Sequence, residues 1–202
     1  MTAWDEDALA CLRAAAQRGD GAGGLAALAG RPLGPVLQYA GDVLVAALAE
    51  GLDAARPRAR ECVEALDGRG LPGDAELAAE LTAALEGPGT GLPPVPADLG
   101  AVAAALEDAD PHVLDLARGD VLALDELTGD EPAGDEPAGE PSLDHADAAY
   151  DPGRWLPIPP GAVPDEDEGT PGDAQEARED ARRGRARKWL ADHGYRPAPR
   201  TL

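Results

Sequence analysis

Apolar positions recur at three- and four-residue steps through the first half of the chain. In "PLGPVLQYAGDVLVAALAEG", Leu33, Val36, Leu37, Ala40, Val43, Leu44, Ala47 and Leu48 fall on one face of a helix. Pro35 suits the first turn of that helix, where its missing N–H costs nothing, and Gly51 suits its end. The same spacing predicts a helix through Ala59, Cys62, Val63 and Leu66, and another through Leu77, Ala78, Leu81, Ala84 and Leu85 with Asp74 as N-cap. A further helix runs through Leu99, Val102, Ala105 and Leu106 behind Asp98. An N-terminal helix is predicted as well, capped by Asp5, with Trp4 and Leu9 forming the hydrophobic staple that fixes the angle of the incoming chain.

After Pro111 the period changes. "HVLDLARGDVLAL" places Val113, Leu114 and Leu116 before the pair Arg118-Gly119, and Val121, Leu122 and Leu124 after it, which predicts a β-hairpin with a positive φ at Gly119. A lone two-stranded hairpin is marginal in water, so it must gain a strand or pack on helices. "RWLPIPP" is the only later segment apolar enough to help, and its prolines confine it to an edge or an extended strap. The helical period returns at the end of the chain. Asp173 and Glu176 have capping-box spacing, Ala186, Trp189, Leu190 and His193 share one face, and Gly194 closes the helix.

The expected fold class is therefore mainly α: a small helical domain with one β-hairpin, a disordered acidic linker and a C-terminal helix. The expected boundaries are 1–110 for the helical domain, 111–127 for the hairpin, 128–150 for an acidic linker, 151–160 for the strap, 161–173 for a second acidic linker and 174–195 for the terminal helix.

Charge sharpens this division. Residues 1–127 hold 22 acidic and 8 basic residues, net -14; residues 128–180 hold 16 and 2, again net -14; residues 181–202 hold 1 and 7, net +6. The middle block carries as much negative charge as the domain in fewer than half as many residues, has little apolar material, and includes the imperfect repeat "GDEPAGDEPAGEP". Disorder is expected there. Phe and Asn are absent, Ile and Lys occur once each, and Ala, Gly, Arg and Pro abound, the residue signature of GC-rich bacterial coding. Arg in place of Lys is accordingly no functional choice in itself.

The first ten residues are acidic where a secretory signal is basic and then apolar, and the longest apolar run, "VLVAALA", is far short of the roughly twenty residues that span a bilayer. These features predict a cytoplasmic protein without a membrane partner. Cys11 and Cys62 both fall in apolar stripes of predicted helices, without a CxxC or nearby His, and are expected to pack in the core as free thiols.

Three segments in order, the hairpin "VLDLARGDV", the strap "GRWLPIPP" and the terminal "ARKWLADHGYRP", carry a family resemblance. The matching residues are Leu114, Asp115, Leu116, Gly119, Asp120 and Val121, then Arg154, Trp155, Pro157, Ile158 and Pro159, then Ala186, Trp189 and Leu190. In this the chain resembles the bacterial Uncharacterised Protein Family 0158. The resemblance covers about a third of the chain; the family's usual middle section, with its Phe-containing stretches, has no counterpart in a chain that has no Phe. The family has no established activity, so the resemblance implies no reaction.

No residue pattern selects a chemistry. His112, His145 and His193 stand apart from one another with no second ligand at metal-binding spacing, and His193 suits a helix C-terminus. "DEDE" at 165–168 lacks the Gly and terminal Glu of a calcium loop and is expected to be a solvated charge run. Neither GxxxxGKS/T nor GxGxxG occurs, and no catalytic, cofactor or metal residue is assigned. An enzyme is disfavoured. The expected function is a noncatalytic interaction or regulatory module with a protein partner; the alternatives are an enzyme of unknown reaction and an acidic nucleic-acid mimic or nucleic-acid-associated protein. The sequence does not specify an oligomeric state.

The terminal helix is the one basic element of an acidic chain, with Arg182, Arg183, Arg185, Arg187 and Lys188 arranged around it. The adjoining acidic block is the expected partner of these cations, and the net negative field makes nucleic acid an improbable target. Trp155, Ile158, Trp189 and Leu190 are the expected apolar docking residues. Burying an apolar side chain of this size contributes about 2 to 3 kcal/mol, against about 1 kcal/mol at most for an exposed ion pair. Apolar contact is therefore expected to dock the helix, with Arg182 and Arg183 dispensable for docking.

Overall fold

The structure, a computed structural model, describes residues 4–87, 91–124, 153–161 and 174–199. Among these the element order is α1 (Glu6–Arg18), α2 (Gly21–Ala27), α3 (Leu37–Ala49), α4 (Arg56–Arg69), α5 (Asp74–Glu86), β1 (Pro94–Pro96), α6 (Leu99–Glu107), β2 (His112–Asp115), β3 (Val121–Ala123), β4 (Trp155–Ile158), α7 (Ala174–Asp192) and β5 (Arg196–Ala198). The fold is mainly α, with two small sheets. Gly161 aside, the expected linkers lie outside the described residues, as do the Asp173 cap, His145 and most of the acidic block.

Local chemistry accounts for most helix ends. Asp5 caps α1 by accepting from the Ala8 amide at 2.8 Å, and Asp98 caps α6 by accepting from Gly100 at 2.8 Å. Trp4 packs against the same core as Leu9, and its indole N–H donates to Pro32 O at 2.7 Å. Pro35 sits in a single 3-10 turn, Gly34–Val36, that leads into α3. Asp74 departs from expectation. Gly73 occupies the cap position, and Asp74 is the first helical residue, its buried carboxylate accepting from the Leu71 amide and from Arg69. Cys11 also departs: it faces solvent, whereas Cys62 is buried and its thiol is pushed up to about 12 by that burial.

Two apolar cores result. The first is built by α1, α3, α4 and α5 around Leu12, Leu37, Val43, Leu44, Leu66, Leu77 and Leu81. The second joins α6, the hairpin, the strap and α7 around Leu99, Val102, Leu106, Leu114, Ile158, Ala186 and Leu190. Helix α7 touches both cores.

The hairpin gains the strand it needs. Strand β2 pairs antiparallel with β3 on one side and with β4 on the other, giving the order β3-β2-β4 with the proline-bearing strap at an edge. The turn is longer than a two-residue one, running over residues 116–120, and Asp115 organises it. Its Oδ1 accepts from the Ala117 and Arg118 amides, and its Oδ2 accepts from Arg154 Nη2 at 2.9 Å. Burial alone would raise the Asp115 carboxyl, but Arg154 and the two amides hold it below the usual range. Strands β1 and β5 form a separate parallel pair that fastens the chain end beside α6, an element the sequence pattern did not predict.

Gly119 has φ 75°, as the turn requires, and an added Cβ would lie 1.5 Å from Pro96 O. Positive φ alone costs a non-glycine residue about 1 to 2 kcal/mol. Gly119→Val should therefore lower the urea midpoint by more than backbone strain alone would, because the turn must also retreat from the β1 end. An unchanged midpoint would contradict this placement.

Candidate functional site: a buried charged seam beside a cleft

The face of α7 that looks toward the first core is charged. Asp180, Arg183, Gly184 and Arg187 follow at helical spacing and are all buried, Arg187 completely so. Such a face can be buried only if every charge finds partners, and here it does. Arg187 Nε donates to Gln38 Oε1 at 2.9 Å, its Nη1 to Glu80 Oε1 at 3.0 Å, and its Nη2 to Asp42 Oδ1. Arg183 Nε donates to Asp42 Oδ2 at 2.7 Å, and its guanidinium lies 4.7 Å from the centroid of the Tyr39 ring. Asp42 thus receives two guanidinium groups.

A second cluster surrounds Asp180. Its Oδ1 accepts from the Gln38 amide at 2.7 Å and its Oδ2 from Arg69 Nη1 at 2.7 Å, while Arg69 also grips Asp74 through Nε and Nη2. Gln38 Nε2 donates to Asp74 Oδ1 at 2.9 Å, which joins the two clusters. Helix α3 has no side-chain cap of its own. Asp180, from 142 residues away, accepts from its first turn instead, where the helix dipole favours a carboxylate.

The seam depends on close backbone approach. A Cβ on Gly184 would lie 2.3 Å from Pro72 O, so only glycine lets α7 rest against the loop between α4 and α5.

These environments move the titrations in different directions. Burial would raise Asp42, but Arg187 and Arg183 hold it below the usual carboxylate range. Burial raises Glu80, with Asp42 adding to the effect and Arg187 opposing it. Burial also pushes Asp180 up to about 6, against the pull of Arg69 and of the Gln38 and Tyr39 amides. The paired carboxylates hold Arg187 and Arg69 above their ordinary values, although burial alone would lower both.

The remaining expected site residues take three places. Leu190 is fully buried and Trp189 half-buried against the second core, with Trp189 lying 4.6 Å from the His193 ring. Ile158 is buried opposite His112, and Trp155, opposite Asp115, lies beneath the Arg154 guanidinium at 4.7 Å. Arg182 and Arg185 both reach Glu107 at the end of α6, at 3.1 and 2.9 Å, and Lys188 pairs with Asp192 on its own helix at 2.8 Å.

Two expectations are thereby corrected. The cations of α7 find their partners on the folded elements, at Asp42, Glu80 and Glu107, and Arg183 is part of a buried seam. The exposed-pair magnitude does not apply to it, because removing one member leaves a carboxylate stranded away from water. Docking has two faces: apolar toward the second core, chiefly α6, and ionic toward α3, α4 and α5. Gln38, Arg69, Asp42, Glu80 and Asp180 were not singled out from the sequence, and Asp74 was singled out only as a helix cap. One signal was present, since Gln38 and Asp42 interrupt an apolar run at a four-residue spacing that matches Arg183 and Arg187.

Beside the seam a cleft of about 750 Å³ opens between α1, α3 and α5 on one side and β1 and β5 on the other. Asp42, Glu80 and Arg183 form part of its lining. Among the described residues no group of three or more His, Cys, Asp or Glu is placed to hold a metal ion, and no helix is long and apolar enough to cross a membrane. No protein-family model, curated protein or solved structure matches the chain.

Removing one partner of a buried ion pair costs about 3 to 5 kcal/mol. Arg187→Met should destabilise the whole fold on that scale in chemical denaturation, and by more than Trp189→Ala, whose ring keeps partial exposure. The reverse ranking would contradict the seam. The Asp180 carboxyl, raised above its unfolded value, contributes stability that is fully present below about pH 4 and is lost as pH rises through about 6. Relative to wild type, Asp180→Asn should therefore gain stability between pH 4 and pH 7. A difference that stays flat with pH would contradict the assignment.

Proposed function

We propose that the chain is a noncatalytic interaction or regulatory module with a protein partner, working in the cytoplasm. The observation that supports this most is the commitment of the basic helix. Arg183 and Arg187 are buried against Asp42 and Glu80, Arg182 and Arg185 reach Glu107, and Lys188 pairs with Asp192. These cations are occupied within the fold, so the chain's net charge of -22 is what an approaching molecule meets. Such a field favours a partner with a basic surface and disfavours phosphate backbones.

The resemblance to the bacterial Uncharacterised Protein Family 0158 forms part of the same proposal. Its support is that the two motif halves meet, with Asp115 of the hairpin bound to Arg154 of the strap and Leu114 opposite Leu156. No reaction comes with that resemblance.

Affinity capture of the whole chain from its native cells, with and without nuclease and followed by mass spectrometry, tests the proposal. A protein partner that survives nuclease and is released by raised salt is the expected result. Recovery of nucleic acid, or loss of every partner on nuclease treatment, would overturn it.

A further inference from the structure

We propose that the cleft beside the seam binds a small organic monocarboxylate with an apolar body, held by Arg196. The site is independent of the partner reading above. Along α3, Asp42, Val45, Ala46, Ala49 and Glu50 line the cleft at helical spacing, a stripe of about 12 Å for eight residues of rise. Pro94, Ala97, Pro197 and Ala198 face it from β1, β5 and the link between β1 and α6. The middle of the cleft is therefore apolar and its two ends are polar, and its volume of about 750 Å³ falls in the range of about 300 to 1,000 Å³ that holds small molecules.

The polar groups decide the ligand. Four carboxylates line the cleft, and each is already engaged. Asp42 receives Arg183 and Arg187, Glu80 receives Arg187, Glu50 accepts from the Gly21 amide at 2.8 Å, and Asp98 caps α6. Of the lining cations, Arg183 is bound to Asp42 and Arg18 lies 3.7 Å from Asp20; Arg196 differs. Arg196 uses Nε on Leu92 O at 3.0 Å, but among the described residues its Nη1 and Nη2 donate to no partner. A guanidinium edge with two donors matches a carboxylate. Arg196 lines the cleft together with Glu80 and Asp42, which Arg187 joins, and its charge acts on Glu80. An anionic head there puts its apolar body along Val45, Ala46 and Ala49. The four surrounding carboxylates make a dianion costly, so a carboxylate suits the site better than a phosphate monoester.

Octanoate is the probe, with octylamine and octyl phosphate as comparisons, titrated into the full chain by calorimetry and by methyl NMR. Octanoate should bind and shift the Val45, Ala46, Ala49 and Ala198 methyl signals. Arg196→Gln should weaken it at least about tenfold, the scale of a charge-assisted hydrogen bond. Ala49→Phe, at an exposed position whose side chain would enter the cleft, should weaken binding with the fold intact. It therefore keeps the proposal testable if the Arg196 variant folds poorly. The proposal is overturned if octanoate fails to bind at millimolar concentration or if its shifts fall outside the cleft. It is equally overturned if octylamine or octyl phosphate binds as tightly, or if a folded Arg196→Gln leaves the affinity unchanged.

Discussion

Arg187 is fully buried with three acceptors around its guanidinium, and a charge in that position obliges the surrounding chain to be arranged about it. Gln38 and Asp42 on α3 and Glu80 on α5 supply those acceptors. Their fixed spacing sets where α7 lies along the first core. Asp180, two turns earlier on the same face, meets Arg69 and the first turn of α3. The two contacts together hold both the rotation and the translation of the helix. An apolar face alone would leave α7 freer to slide.

An adjoining face of α7 carries Ala186 and Leu190 into the second core, so one helix joins two hydrophobic units through unlike chemistry. The apolar contact supplies most of the driving force, and the ionic contact supplies selectivity, because a shift of one residue would strand buried charges. This division explains why the end of the chain continues as β5. Once α7 is seated, Tyr195 and the strand after it lie beside β1, and the parallel pair closes the second unit. The position of β5 in turn forms one wall of the cleft.

Much of this was legible in the sequence where a single element carried its own signal. The apolar stripes of α3 to α6, the caps Asp5 and Asp98, the positive φ at Gly119 and the edge placement of the strap follow from local rules. Helix α2 was not legible, since three of its seven residues are glycine and it owes its form to packing between α1 and α3. Strands β1 and β5 are three residues each and contain proline, which hides them from any periodicity. The seam was hidden for a different reason. Its partners lie up to 149 residues apart, and a charged residue reads as surface until its counter-charge is known. Counting charges by block gave the acidic linker as the partner of the basic helix, whereas three-dimensional proximity gave Asp42, Glu80 and Glu107.

The central claim is that α7 is locked to α3 as one cooperative unit. Native-state hydrogen exchange of the full chain tests it directly. The account predicts that amides of residues 183–190 and of residues 41–47 open only with global unfolding and share one free energy of exchange. It would be contradicted if the α7 amides exchanged through a cheaper opening while those of α3 kept their protection.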